Sequence, residues 1–350
     1  MPDPSRVLII RPSALGDVCR SVPAAVFVHR HWPKARIDWL VFDAFSPVVE
    51  HHPCVQGVVR FHRRLLGEAI SRGRIGPVTG FLRSLREAKY DVVFDLQGLA
   101  RSGLFTWATR APRRVGLADA RELGWLGYTE RYRIAHDIHS VDRMMGVLNA
   151  AGVPTHPPTA AELRLYTGEV DRQWLAGEQR LAGRRYAVVA PTSRWVGKRW
   201  PASRFAELVP RLLSMGLDAV ALVGSSGERA QCGPVLELAA SSPSRVIDLI
   251  GGTTVGQVMA LIEGAALVVA NDSAALHIAV GFARPFVALY GPTRVELVGP
   301  YGGREGVLQH VGPDEPLNHK DAEAGQRIME RITVDQAADL AHRVLGAPPV

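Results

Sequence analysis

Twice along this chain, short runs of aliphatic and β-branched residues alternate with amphipathic stretches, and this double alternation is the strongest constraint on its fold. In the first half, strands are predicted at 7–11, 37–42, 57–61 and 92–96, with helical patterns over 18–31 and 77–88. In the second half, strands are predicted at 186–190, 219–223, 246–249, 267–270 and 286–289. Helical patterns there cover 203–215, 228–240, 254–263 and 274–281. Such alternation builds parallel sheets covered by helices on both faces. The Pro-rich break Ala151-Gly-Val-Pro-Thr-His-Pro-Pro158 separates the two series, and 350 residues are more than one compact core usually holds. The expected class is therefore α/β, with two Rossmann-like βαβ domains facing a central cleft, where open α/β sheets bind ligands. The expected boundaries are 1–155 and 185–333 for the domains, 156–184 for a linker region, and 334–350 for a closing amphipathic helix.

Composition narrows the function. A hydrophobic fraction of 47% with 21% charge belongs to an ordinary globular chain. Cys19, Cys54 and Cys232 lie far apart with no CxxC pair, which argues against a disulfide framework or a zinc site and favours a reducing compartment. The first apolar run is only four residues, and the stretch 265–283 contains Asp272 and His277, so neither a leader nor a membrane span is predicted and a cytoplasmic location is expected. His51-His52 and His29/His31 lack ligand spacing, so no metal and no cofactor are expected. A net charge of +7 calls for an anionic partner. Between Arg60 and Arg143 there are 16 Lys/Arg and 9 Asp/Glu, an excess of 7 that equals the charge of the whole chain.

Five loops concentrate polar chemistry. After the first strand, Pro12-Ser13-Ala-Leu-Gly16-Asp17 is a small turn opening a helix, suited to present backbone N–H groups to an anion. It is not GxGxxG, and Asp17 would repel a phosphate; Asp17 reads either as a helix N-cap or as a base for a hydroxyl proton. After the first strand of the second half, Thr192, Ser193 and Lys198 place hydroxyls and a point charge where a diphosphate can sit, unless the loop is simply a basic surface. In Asn271-Asp272-Ser273-Ala274-Ala-Leu-His277 a strand runs into a helix start, giving either a phosphate site with an acid for sugar hydroxyls or an N-cap beside a core histidine. Glu228, after Val223-Gly-Ser-Ser-Gly, is suited to ribose hydroxyls, and Tyr290-Gly-Pro-Thr293 supplies a further strand-end anion loop.

Taken together, these motifs resemble glycosyltransferase family 9, the lipopolysaccharide heptosyltransferases. The resemblance rests on Ser13-Ala-Leu-Gly-Asp17, Asp95-Leu-Gln-Gly-Leu-Ala-Arg-Ser102, Lys198-Arg-Trp-Pro201, Asn271-Asp-Ser with His277, and Tyr290-Gly-Pro-Thr293, in the family's order. It implies a GT-B fold and inverting, metal-independent transfer of heptose from ADP-heptose to an acidic, lipid-linked inner-core sugar. It implies Asp17 as base, Lys198 and Ser273 at the donor phosphates, Asp272 near the donor sugar, and Glu228 at the ribose. Thr192, Ser193, Ala274 and His277 complete the implied donor set. The candidate acceptor set is Ser13, Gly16 and Gln97 from these motifs, with Arg63, Arg64, Arg101 and Arg121 from the local excess of positive charge. Arg11 stands where the family often has lysine, and Trp195-Val-Gly197 replaces polar residues, which leaves another sugar nucleotide open as donor.

Arg63, Arg64, Arg101, Arg113, Arg114 and Arg121 are expected in or near loops, where arginine suits carboxylates and phosphates, and with Leu65, Leu66 and Phe81 they also suit an anionic membrane surface. A solvated basic face is the plainer alternative. The expected enzyme is a monomer that binds no nucleic acid and acts in the cytoplasm, with peripheral contact at the inner membrane left open. Two other readings are a GT-B-fold sugar-nucleotide epimerase and a basic RNA-binding protein; the second rests on charge alone, since no RRM or C₂H₂ pattern is present.

Overall fold

The structure is a computed structural model that describes residues 3–312, 315, 317, 318 and 320–346. The chain divides into two compact units, Met1–Tyr166 and Thr167–Val350. The first contains β1 (Arg6–Ile10), β2 (Arg36–Phe42), β3 (Gly57–Phe61), β4 (Val92–Asp95), β5 (Arg113–Leu117) and β6 (Glu130–Tyr132). They form one sheet in the order β3-β2-β1-β4-β5-β6, every pair parallel. The second contains β7 (Tyr186–Ala190), β8 (Ala219–Leu222), β9 (Val246–Asp248), β10 (Leu267–Asn271), β11 (Phe286–Tyr290) and β12 (Val307–Gln309). Its sheet runs β12-β11-β10-β7-β8-β9, also parallel throughout. Counted within its unit, each sheet has the order 3-2-1-4-5-6 of the dinucleotide-binding fold.

The central strands read as unbroken apolar runs because helices cover both faces of a parallel sheet. Val7, Leu8, Ile9 and Ile10 are fully buried, as are Val188, Val189 and Val268–Ala270. In the first unit Leu8, Ile10, Leu40, Val93 and Phe105 share one core cluster. In the second, Val189, Leu222, Val269 and Leu289 pack with Trp200, Phe205 and Met329. The indole N–H of Trp200 donates to the Ile332 carbonyl at 2.9 Å, so the buried ring leaves no polar atom unpaired.

Several elements differ from the sequence expectations. The helix predicted over 18–31 is two helices, Leu15–Ser21 and Pro23–His31, because Pro23 has no N–H to continue the first. The helix predicted from Glu228 begins at Gly233, after a 3₁₀ segment over Ser226–Cys232. The segment 156–184 contains a helix, Glu169–Gly177, tied to the second unit by Arg172 and Glu263 at 2.9 Å. The closing helix spans Val334–Gly346; positions 347–350 lie outside the described residues. Arg113 and Arg114, expected near loops, lie on β5: Arg113 holds Glu130 at 2.7 Å, and Arg114 donates to the carbonyls of Gly127 and Ala111 at 2.8 and 2.6 Å. Both guanidiniums are engaged within the unit. Among the described residues, no helix is long and apolar enough to cross a membrane.

Candidate functional site

In this strand order, the direction in which successive strands are added reverses between β1 and β4, and again between β7 and β10, which opens a crevice at the carboxyl ends of each pair. Most of the candidate residues cluster at or beside these two switch points.

In the first unit, β1 leads into the helix Leu15–Ser21, whose N-cap is Ala14. Asp17 is thus not the cap residue itself. It sits three positions in, and its Oδ2 accepts from the Ala14 N–H at 3.2 Å. Arg11 Nη2 lies 3.1 Å from the same oxygen, and Arg20 Nη2 bonds Oδ1. Arg20 is fixed from behind by the Ser140 hydroxyl at 2.8 Å. Burial alone would raise the Asp17 pKa; Arg11 and Arg20 outweigh it and hold the carboxyl well below the usual carboxylate range. Asp17 is 26% exposed, so a ligand can reach it.

The loop after β4 meets this turn. The Ser13 N–H donates to Gln97 Oε1 at 3.2 Å. Gln97 is oriented by the buried Asp95, which accepts from the N–H groups of Gln97 and Gly98 at 2.8 and 3.1 Å and from the Tyr128 hydroxyl at 2.7 Å. Burial pushes the Asp95 pKa up. Gly98 has φ +67°, a left-handed conformation that glycine adopts without strain, and its carbonyl accepts from the Arg121 N–H at 2.9 Å. Ser13, Gly16, Asp17, Gln97 and Arg121 are in this way brought to neighbouring loops. Arg63 and Arg101 converge elsewhere in the unit: their guanidiniums lie 5.7 and 6.0 Å from the Phe42 ring centre. Arg63 lines a groove of about 480 Å³ together with Phe42, Phe45, Phe61 and Leu65. Arg64 also lines it but is paired with Glu68 at 3.0 Å.

In the second unit, the loop after β7 and the loop after β10 are locked together. Asn271 accepts from the Trp200 N–H at 3.0 Å and donates to the Pro191 carbonyl at 2.8 Å. This places Lys198 Nζ 2.6 Å from Asp272 Oδ2, which also accepts from the Thr293 hydroxyl at 2.8 Å. Ser273 follows, at the mouth of the helix Ala274–Gly281, and its buried Oγ has no partner among the described residues. A hydroxyl left so at a helix N-terminus beside a lysine is a donor waiting for an anion. Ala274 supplies the first helical N–H of that site. His277 is buried one turn further along.

Glu228 lies in the first turn of the 3₁₀ segment after β8, accepting from Ser225 Oγ at 2.6 Å and Thr192 Oγ1 at 3.2 Å. The Ser193 N–H donates to Gln231 at 3.3 Å. Gly224 is required beside this contact, since a Cβ there would lie 2.9 Å from the Thr192 side chain. Sequence reasoning marked the 290–293 loop without choosing Thr293 and did not single out Arg20 or Gln231. Arg20 follows Asp17 by three helical positions, a spacing that identifies it. Thr293 and Gln231 carry no such signal. Among the described residues, no group of three or more His, Cys, Asp or Glu is placed to hold a metal ion.

Residues 78–325 match the family profile of glycosyltransferase family 9 (heptosyltransferase). Lipopolysaccharide heptosyltransferase 1 of Pseudomonas aeruginosa is 32% identical over 324 residues, which cover 89% of this chain and 84% of that protein. The solved E. coli ADP-heptose LPS heptosyltransferase II superposes with a TM-score of 0.80 at 22% identity, over 97% of this chain and 98% of that one. E. coli heptosyltransferase WaaC, solved with ADP, superposes at 0.72 with 25% identity, over 93% of this chain and 99% of that one. Two parallel sheets of nucleotide-binding order, candidate loops at both switch points and these likenesses lead to one assignment: the chain belongs to glycosyltransferase family 9, with the GT-B fold, and is a glycosyltransferase.

Proposed function

We propose that this enzyme transfers a heptose from ADP-heptose to an acidic, lipid-linked sugar of a lipopolysaccharide inner core, with inversion and without a metal ion. The observation that carries the reading is the Lys198, Ser273 and Ala274 cradle at the β10 switch point, where a cation, a hydroxyl without a partner among the described residues and a helix start converge on a place a diphosphate fits. WaaC of E. coli has also been solved with ADP-2-deoxy-2-fluoro heptose, and 26% identity over 93% of this chain supports the same donor class.

In this reading, residues 185–333 take the donor. Lys198 and Ser273 meet the phosphates, Thr192 and Ser193 border them, Asp272 faces the sugar hydroxyls, and Glu228 takes the ribose. Residues 1–155 take the acceptor, with Ser13, Gly16 and Gln97 around its hydroxyl and Arg63, Arg64, Arg101 and Arg121 on its acidic groups. The acceptor oxygen forms its bond to the anomeric carbon as the bond to the β-phosphate oxygen breaks. Asp17 receives the hydroxyl proton, and ADP leaves with the bonding electron pair. Lys198 and the N-terminal N–H groups of the Ala274–Gly281 helix meet the charge that develops on the leaving group, a role a divalent cation plays in other transferases. Asp17 is a weak base while Arg11 and Arg20 hold it. An acceptor bearing carboxylates or phosphates offers those guanidiniums other partners, which raises the basicity of Asp17 when substrate arrives. The enzyme acts as a monomer at the cytoplasmic face of the inner membrane, where its acceptor is anchored.

Isothermal titration with ADP-heptose, other ADP-sugars, UDP-sugars and GDP-sugars tests the donor. ADP-heptose binds tightest on this reading; tight binding of a UDP-sugar alone overturns it.

A further inference from the structure

We propose that the face built from the Ala100–Ala108 helix and the 3₁₀ turn Gly124–Gly127 is a docking surface for an anionic lipid bilayer. Along that helix and just past its end, an exposed stripe reads Arg101, Leu104, Trp107, Arg110. Leu104 and Trp107 are 44% and 43% exposed, on a helix whose other faces are buried. Beside it, Leu123 and Leu126 are 62% and 58% exposed. Four large apolar side chains on one small face of a globular unit are an interaction signature rather than scatter.

The two elements are packed backbone to backbone. A Cβ on Gly103 would lie 2.2 Å from the Gly124 carbonyl oxygen, and one on Gly127 would lie 2.1 Å from the Gly103 carbonyl oxygen. Helix and turn are therefore in backbone contact along a glycine seam. Arg114 fastens the far end by bonding Gly127 and Ala111. The closely packed helix and turn leave these apolar side chains facing outward.

Charge complementarity names the occupant. Residues 100–133 contain seven arginines (101, 110, 113, 114, 121, 131, 133) against Asp119, Glu122 and Glu130, an excess of 7 − 3 = 4. Each acid is already engaged, Asp119 by Arg143 at 2.5 Å, Glu122 by the Ala100 N–H at 3.3 Å and Glu130 by Arg113 at 2.7 Å. Arg110 lies 4.0 Å from the Trp107 ring centre and Arg131 4.6 Å from that of Trp125. Tryptophan with an arginine on its face, flanked by leucine, suits the boundary between acyl chains and anionic headgroups, where the ring sits and the guanidinium takes a phosphate. The same helix begins three residues after Gln97, so a membrane held here lies next to the loop proposed for the acceptor.

The proposal rests on the lipid-linked acceptor only for its purpose; vesicle binding is measured with neither substrate present. Flotation of the full chain with phosphatidylethanolamine/phosphatidylglycerol vesicles and with phosphatidylcholine vesicles is the test, alongside light scattering. The expected result is binding to the anionic vesicles alone, weakened by salt, and reduced by about tenfold or more in Leu123→Glu/Leu126→Glu and in Arg110→Glu. Both variants keep the wild-type melting curve and full turnover on a delipidated, water-soluble acceptor. No binding to anionic vesicles overturns the proposal, as does binding that the folded variants retain. A wild-type dimer that the leucine variant dissociates assigns the face to a second copy and equally overturns it. Vesicle binding that survives with no heptose transfer to any acceptor would count against the proposed function and leave the docking surface standing.

Discussion

Asp17 shares its carboxylate among the Ala14 N–H, Arg11 and Arg20. A group so held is ionised across the working pH range and resists protonation, so the two arginines set how strong a base it is. Asp17→Asn removes the proton acceptor and keeps the shape; kcat is expected to fall about 10²–10⁴-fold, the usual worth of a general base. Near-normal turnover would reduce Asp17 to a helix-terminus residue. Arg20→Gln takes away one positive neighbour, which favours the neutral carboxyl and raises its pKa. The acid limb of the kcat/KM profile is therefore expected below about pH 4 in the wild type and higher in Arg20→Gln. An unmoved limb would separate Arg20 from the chemistry. Lys198 and Asp272 form the matching pair in the donor unit, where Asp272 occupies part of the lysine's bonding capacity and leaves ammonium protons for a phosphate.

At the scale of elements, backbone contact decides which substitutions the fold tolerates. Gly103→Ala forces a methyl against the Gly124 carbonyl and is expected to cost about 1–3 kcal/mol in denaturant unfolding. Gly67→Ala, within the helix Arg63–Ser71, meets nothing within 4 Å. It is expected to stabilise by roughly 0.5–1 kcal/mol through helix propensity. The pair is a direct check, because both replace a helical glycine by the same residue. The elements most legible in the sequence were the central strands, since a strand buried on both faces leaves a plain apolar run such as Val7–Ile10. The edge strands Glu130–Tyr132 and Val307–Gln309 carry no such run because half of each faces outward, and they were not anticipated. Helix bounds were less legible where a proline intervened, as at Pro23.

For the molecule as a whole, protons and charge govern behaviour. His52 is buried against Tyr166, with ring centres 5.1 Å apart, at the end of the first unit. Burial and the nearby His29 push its pKa down to about 4. The unfolded chain binds that proton near the ordinary value of about 6.5, so stability from His52 is full above that pH and is lost as pH falls from about 6.5 toward 4. Thermal melts across that window are expected to show the decline, and His52→Gln to flatten it. By itself the sequence determined the α/β class, the twofold βαβ layout and the loops that carry Asp17, Lys198, Asp272 and Ser273. Periodicity and strand-to-helix turns are local properties, and the family motifs lie in order along the chain. Only the tertiary structure decided which side chains act on one another. Lys198 and Asp272 are 74 residues apart, Gln97 meets Ser13 across 84, and Arg20 is held by Ser140 across 120. A parallel sheet joins strands through crossovers of arbitrary length, so its pairing order, not sequence separation, sets which loop ends become neighbours.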